Sequence, residues 1–144
     1  MEQTQKTLAM RYFRAVYGGE PLALDELAGD EIIVSYPIFE QLFGTPILRG
    51  RAAVAAFAKR FGAKWLEPQI TIHESVAEGD RVVLVWSFRA RDRDAIQPAE
   101  SPADREEAWG GITVLQFNSS GQVVKELGEE SAPGPFGRLQ SGES

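Results

Sequence analysis

The sequence predicts an α+β fold in which a curved antiparallel sheet forms a cone and three N-terminal helices cover it. Apolar residues recur at helical spacing through much of the N-terminal half, whereas the C-terminal half holds three long runs that alternate between apolar and polar residues. A double glycine, Gly110-Gly111, permits the bend that a strongly curved sheet requires. Helices that precede such strands pack on one face of the sheet, so we expect the cone to have an apolar interior.

The composition predicts one globular domain and argues against several functions. A chain of 144 residues, 43% hydrophobic, suits a single core. A net charge of −6 disfavours nucleic-acid or anionic-membrane partners, and no apolar run approaches the ~20 residues that span a bilayer. With no cysteine, one histidine and no glycine-rich phosphate loop, we expect no metal and no cofactor. The N-terminus shows no signal-peptide pattern, so we expect a cytoplasmic protein.

The N-terminal half contains the helices and one early strand. The predicted elements are a helix over residues 5–17, a short helix over 21–29, a strand from Ile32 to Pro37 and a helix over 51–61. Residues 37–50 connect the strand to the last helix and carry large apolar side chains, among them Phe39 and Phe43. A solvated loop would not hold them, so we expect this connection to pack over a core edge, a pocket mouth or a partner subunit.

The C-terminal half contains the long strands. They are predicted over residues 69–77, 81–91, 107–117 and 122–131, with Asn118-Ser119-Ser120-Gly121 as the turn of the last hairpin. In the first of them, Ile70, Ile72 and Val76 share a face. Residues 92–105 form a polar loop, interpreted as a lid, a dimer contact or a disordered segment. Residues 132–144 are rich in Gly, Pro and Ser, so we expect a single domain over 1–131 followed by a flexible tail.

The strand after the last turn carries the acidic residues that could act in catalysis, and its orientation determines whether they are buried. Glu126, Gly128 and Glu130 lie two residues apart and therefore share one face of the strand. If this face points inward, two carboxyl groups enter the apolar interior, where burial would raise their pKa values and suit them to proton transfer. If Val123 and Leu127 point inward instead, both glutamates are solvated surface charges.

Three segments carry a resemblance to a known family. They are RYFRAVYGGEPLALDELAGDEIIVSYP, RGRAAVAAF and VLQFNSSGQVVKE, and the resemblance covers roughly residues 6–131. They resemble the first helices and strand, the third-helix entry and the closing hairpin of the nuclear-transport-factor-2-like superfamily, in its SnoaL-like and ketosteroid-isomerase-like branch. The resemblance implies the cone fold and a cavity for a small molecule.

The resemblance also implies candidate site residues. Tyr12 falls where the steroid isomerases hold a tyrosine donor, but Tyr36 replaces their aspartate base and Thr113 replaces their protonated aspartate, so steroid isomerase chemistry is not expected. SnoaL-type cyclases use an acidic residue on a late strand, which Glu126 or Glu130 could supply. The candidate catalytic residues are therefore Glu126, Glu130, Tyr12 and Tyr36. The candidate ligand-binding residues are Val16, Phe57, Leu84, Trp86, Phe88, Trp109, Thr113 and Leu115.

Two functions remain open at this stage. The first is a cofactor-independent isomerase, cyclase, lyase or hydrolase that acts by proton transfer on an apolar, oxygenated substrate. The second is a non-catalytic ligand-binding or dimerisation module of the same fold. Burial of Glu126 and Glu130 discriminates between them, because exposed glutamates would leave the enzyme without an acid. In either case we expect a homodimer through the outer sheet face, where Val83, Val85, Ile112 and Val114 form an apolar patch.

Overall fold

The structure is a computed structural model that describes residues 2–93 and 106–142. The helices are α1 (Glu2–Tyr17), α2 (Leu24–Leu27), α3 (Ile38–Phe43), α4 (Arg51–Lys64) and α5 (Pro135–Gly142), and a short 3₁₀ turn at Pro21–Ala23 leads into α2. The strands are β1 (Ala28–Ser35), β2 (Ile47–Arg49), β3 (Trp65–Glu78), β4 (Arg81–Asp92), β5 (Glu106–Phe117) and β6 (Val123–Ser131). The predicted strands are confirmed, and the apolar connection over 37–50 contains α3 and β2.

The six strands form one curved, open sheet in the order β2-β1-β6-β5-β4-β3. All neighbouring strands are antiparallel except β1 and β6, which run parallel. Helices α1, α2 and α4 are the three predicted helices, and α1 and α4 pack against each other and against the sheet. The predicted α+β class is therefore confirmed. No helix in the described part of the chain is long and apolar enough to cross a membrane.

The hydrophobic core lies between α1 and the concave face of the sheet. Five alternating residues of β4 are buried, which agrees with the alternation of apolar and polar residues in this run: Val82, Leu84, Trp86, Phe88 and Ala90. From α1, Tyr12, Phe13 and Val16 are each 1% exposed or less. Burial of these side chains removes a large apolar area from water, and this is the main term that holds α1 on the sheet.

Two β-bulges change which residues face the core. In β3 the pairing register shifts between Ile72 and Glu74, so Val76 is 58% exposed and not on the inner face with Ile70 and Ile72 as predicted. In β6 the register shifts at Val124, which is an extra residue between the paired positions Val123 and Lys125. An extra residue reverses the facing of the side chains that follow it.

The β6 bulge settles the orientation of the two glutamates. Val123 and Glu126 are both fully buried, whereas Leu127 is 45% exposed. The alternating pattern had offered either the glutamates or the pair Val123 and Leu127 as the inner set. Because the bulge at Val124 lies between them, Val123 and Glu126 both point into the core although they are three residues apart.

The C-terminal segment holds a helix where the sequence predicted a flexible tail. Helix α5 packs against β4 and β5, and the ring of Phe136 stacks on His73 with 4.1 Å between ring centroids. Gly134 lies directly against Gly110, where a Cβ on either residue would meet backbone atoms of the other, so the double glycine serves close approach as well as curvature. The division into a domain over 1–131 and a tail stays a prediction. The predicted loop over 92–105 lies outside the described residues from position 94 onward.

Candidate active site

A cavity of about 690 Å³ opens between α1, α3, α4 and the inner face of the sheet. Its walls are mainly aromatic, which is typical of a site for an apolar small molecule. The aromatic lining residues are Phe13, Tyr17, Tyr36, Phe39, Phe43, Phe57, Phe61, Trp65, Trp86, Phe88 and Trp109. The polar side chains that reach it are those of Gln41, Arg60, Lys64, Glu130 and Ser131.

The helical period explains how α3 and α4 build this wall. Phe39 and Phe43 lie one turn apart on α3, and Phe57 and Phe61 lie one turn apart on α4. The Phe39 ring meets the Phe57 ring edge to face at 5.3 Å between centroids, and the Phe43 ring meets the Phe57 ring at 6.0 Å. The residues over 37–50 thus cover the cavity mouth, which was one of the positions expected from the sequence.

Behind this wall, Glu126 is fully buried and accepts hydrogen bonds from three tyrosines. The Tyr12 hydroxyl donates to Oε1 at 2.6 Å, whereas Tyr17 and Tyr36 donate to Oε2 at 2.8 and 2.5 Å. Tyr12 and Tyr17 come from α1, and Tyr36 follows β1. The cluster therefore joins the N-terminal part of the chain to the closing strand through one carboxyl group.

A chain of hydrogen bonds continues from this cluster into the sheet. The Tyr36 hydroxyl lies 2.7 Å from Oγ1 of Thr113, and the indole N–H of Trp86 donates to the same Oγ1 at 3.0 Å. Because Tyr36 gives its hydrogen to Glu126, Thr113 donates to Tyr36. Each donor thus points toward the carboxyl group, which orients the dipoles to stabilise its negative form.

Gly128 makes this arrangement possible. Parallel pairing of β1 with β6 sets Val34 beside Glu126 and Ser35 beside Leu127, so the next residue, Tyr36, reaches Gly128. A Cβ at position 128 would overlap the Tyr36 ring. Glycine is required here because the ring occupies the space between the two glutamates, and any larger residue would move the Tyr36 hydroxyl away from Glu126.

Burial sets the electrostatics of the tyrosine cluster. Loss of solvent raises the pKa of Glu126, and the three hydroxyl donors oppose that rise. Burial and the neighbouring carboxyl group raise the pKa values of Tyr12, Tyr17 and Tyr36 well above the usual value for a phenol. The three tyrosines are therefore neutral hydrogen-bond donors at physiological pH.

Glu130 lies on the cavity wall itself. Desolvation, followed by the charge of Glu126, raises its pKa to about 7, and a hydrogen bond from the Trp109 side chain partly opposes this rise. Cross-strand pairing places Glu130 opposite Gly111, which in turn pairs with Trp86. A carboxyl group with this pKa holds both protonation states near neutrality, as a general acid or base must.

The structure separates the predicted site residues into two groups. Six of them line the cavity: Tyr36, Phe57, Trp86, Phe88, Trp109 and Glu130. The other six lie in the packed core and do not line it: Tyr12, Val16, Leu84, Thr113, Leu115 and Glu126. The physical reason is that α1 packs onto the inner sheet face at these positions and fills the space that the sequence assigned to ligand.

Several lining residues were not among the predicted site residues. Tyr17 and Phe13 belong to the apolar stripe of α1, and both line the cavity. Arg60 and Lys64 lie three residues after Phe57 and Phe61, so helical spacing from these phenylalanines could have found them. Among the described residues, no group of three or more His, Cys, Asp or Glu side chains could hold a metal ion.

Residues 9–126 match the SnoaL-like domain family. The chain belongs to that family. Solved structures agree with this SnoaL-like assignment at the level of the fold. TsrD from Streptomyces laurentii has 20% sequence identity and a TM-score of 0.69, with 92% of each chain covered. An LEH-like epoxide hydrolase from M. tuberculosis has 12% identity and a TM-score of 0.68, covering 91% of this chain and 85% of its own.

A third structure extends the comparison to the isomerase-like branch. It is a protein with a ketosteroid isomerase-like fold from Catenulispora acidiphila DSM 44928, with 16% identity and a TM-score of 0.64, covering 84% of this chain and 82% of its own. The predicted membership of the SnoaL-like and ketosteroid-isomerase-like fold group is confirmed. No curated protein sequence matches the chain significantly.

Proposed function

We propose that this SnoaL-like protein binds an apolar, oxygenated small molecule and catalyses a proton transfer on it, with Glu130 as the general base or acid. One observation carries the proposal: a carboxyl group with a pKa of about 7 lies on the wall of an otherwise aromatic cavity. Apolar walls exclude water and strengthen the basicity of a carboxylate, so a single group can move a proton there. The partial burial of Glu130 on this wall favours the catalytic proposal over a non-catalytic ligand-binding module.

The remaining groups have supporting roles. Tyr36 and Tyr17 are the tyrosines that line the cavity. Because both give their hydroxyl hydrogens to Glu126, we assign their rings to the wall that packs on the substrate. Glu126 does not line the cavity, so we assign it a positioning role: it holds the three tyrosines, and its charge raises the pKa of Glu130. Trp109 orients Glu130 through its hydrogen bond.

Several reactions begin with such a step. Isomerisation, cyclisation, dehydration and epoxide opening each need one proton added or removed beside a substrate oxygen. One structural relative is an LEH-like epoxide hydrolase, which supports the hydrolytic member of this set. A carboxylate base in an aromatic cavity can perform the proton transfer of all four reactions. The bound substrate then determines which of them takes place.

The Kemp elimination of nitrobenzisoxazole tests the base directly. A base takes the ring C–H proton, the C–H electrons form the nitrile, and the N–O bond breaks to release a coloured phenolate. We expect kcat/KM to rise with pH through about 7, the pKa of Glu130 in the free protein. Glu130→Gln is expected to lower kcat/KM about a hundredfold, the lower end of typical general-base effects.

Glu129→Gln is the matched control. Glu129 is the exposed neighbour of Glu130 on β6, so its loss should leave the rate unchanged. A wild-type rate equal to that of free acetate at the same concentration would refute the catalytic proposal. The non-catalytic ligand-binding reading would then stand.

We also propose that the protein forms a homodimer through the outer sheet face. Val83, Val85 and Val114 are only partly covered there, and Ile112 is 44% exposed. These residues alternate with the core positions of β4 and β5, which gives the outer face an apolar stripe. Light scattering should report twice the mass of the 15.9 kDa chain, and Ile112→Lys should reduce it to the monomer. A wild-type monomer at micromolar concentration would refute this.

A further inference from the structure

The charged groups of the cavity lie on two separate elements. Glu130 belongs to β6 at the sheet wall, whereas Arg60 and Lys64 belong to α4. These two positive side chains line one cavity of a chain whose net charge is −6. The surface in general repels anions, so the α4 side of the cavity is locally different.

The two cations are not equivalent. Nζ of Lys64 lies 3.0 Å from the Asp92 carboxylate and 5.1 Å from the centroid of the Trp65 ring, so its charge is already paired. The Arg60 guanidinium lies 5.7 Å from the centroid of the Phe43 ring, a cation–π contact, and it has no ion pair with any described residue. Arg60 therefore keeps its hydrogen-bond donors available at the cavity mouth.

Arg60 lies on the same face of α4 as the phenylalanines of the apolar wall. Phe57, Arg60, Phe61 and Lys64 follow the i, i+3, i+4, i+7 spacing of one helix face, and all four line the cavity. A ligand whose apolar body packs on Phe57 and Phe61 therefore has its outer end beside Arg60. A guanidinium presents a planar fork of donors that matches the two oxygens of a carboxylate or similar anion.

We propose that the ligand of this cavity is an apolar molecule with one anionic oxygen group at its outer end, and that Arg60 binds that group. The inference deepens the proposed function, since it uses the same cavity and names the substrate class. The anion anchors the ligand on α4, and its apolar body extends toward Glu130 on the sheet. Orientation of the reacting carbon is then fixed by a group far from the reacting bond, as in many enzymes that use remote contacts to position a substrate.

A matched pair of fluorescent probes tests this without requiring catalysis. Anilinonaphthalene sulfonate is an apolar anion, and phenylnaphthylamine is the same skeleton without the sulfonate. We expect both to bind the wild type in competition with each other. Arg60→Gln should weaken the sulfonate by about two- to fivefold, the range for a partly solvated ion pair, and leave the neutral probe unchanged. Added salt should reduce the difference.

Lys59→Gln is the matched control, because Lys59 is exposed on the same helix and does not line the cavity. Equal loss of both probes in Arg60→Gln would show that Arg60 only packs, and an equal effect of Lys59→Gln would show a general charge effect. Either result overturns the proposal, as does a wild type that binds neither probe. In a Glu130→Gln background, Arg60→Gln should still weaken binding of the sulfonate probe and leave the neutral probe unchanged. The probe result for Arg60 is therefore independent of whether Glu130 acts as the base.

Discussion

Replacing Glu130 by glutamine is expected to remove a loss of folding stability that the wild type should undergo as the pH rises from 4.5 to about 7. Burial raises the pKa of Glu130 from 4.5 to about 7 in the folded protein. The folded state therefore binds more protons than the unfolded chain between these two values. Stability is highest below the unfolded pKa and is lost as pH rises through the folded pKa.

The size of the effect follows from the two pKa values. A difference between 4.5 and about 7 corresponds to about 3 kcal/mol of unfolding free energy, at 1.36 kcal/mol for each pH unit. Glu130 is partly buried, so water screens it less than a surface group, and we expect a measured loss of about 2–3 kcal/mol. Glutamine does not ionise, so Glu130→Gln should lack this loss and become the more stable protein above about pH 7.

Urea denaturation at intervals from about pH 4 to about pH 9 measures this directly. The quantity to compare is the difference in unfolding free energy between variant and wild type at each pH, because the other titrating groups then cancel. Glu129→Gln, at the exposed neighbouring position, should run parallel to the wild type. If the Glu130→Gln curve is also parallel to the wild type, Glu130 is not desolvated, and the argument for a base on the cavity wall fails.

Three further predictions concern the residues packed around Glu126 and Glu130. Gly128→Ala should lower the unfolding free energy by about 1–3 kcal/mol, because the added methyl group would overlap the tyrosine ring between the two glutamates; chemical denaturation measures this. Trp109→Phe should raise the pKa of Glu130 above about 7 in an NMR titration, because it removes the donor that lowers this pKa. Tyr17→Phe should raise the pKa of Glu126 further by the same measurement, since one of three donors to its charged form is lost.

The first two of these changes each have a control in the chain. Gly62→Ala, in α4, places the added Cβ 4.0 Å from its nearest neighbour outside the helix backbone, the Gly19 Cα, so it should not destabilise the protein. Trp65→Phe changes a cavity tryptophan that contacts Trp109 but makes no bond to Glu130, so the Glu130 titration should stay unchanged. A Glu130 titration that moved equally in both tryptophan variants would contradict the assigned hydrogen bond.

The sequence predicted the fold because its patterns were local and strong. Alternation in β4 identified the inner residues Val82 to Ala90 correctly, since a strand without bulges has a strict period of two. The first helix ends at Tyr17 as predicted, and the first strand ends just before Pro37. In β3 the same method placed Val76 on the wrong face, because a bulge between paired strands leaves no clear local signal.

The candidate site depended on more than pattern. Spacing put Glu126 and Glu130 on one face, and the family resemblance favoured the inward direction, but the local pattern alone favoured Val123 and Leu127 as the inner pair. Only the pairing of β6 with its two neighbours resolved this, through the extra residue at Val124. Likewise the sequence proposed Tyr12 and Glu126 as cavity residues, whereas the packing of α1 encloses both.

By itself, then, the sequence determined the α+β class, the order of the elements and the residue types available for chemistry. Tertiary structure alone decided that three tyrosines converge on Glu126, that Glu130 is the carboxyl group on the cavity wall, and that Arg60 stands at the cavity mouth. The reason is physical. Helical and strand periods are set by neighbours in the chain, whereas desolvation and hydrogen bonding are set by residues as far apart as Tyr12 and Glu126, 114 positions away.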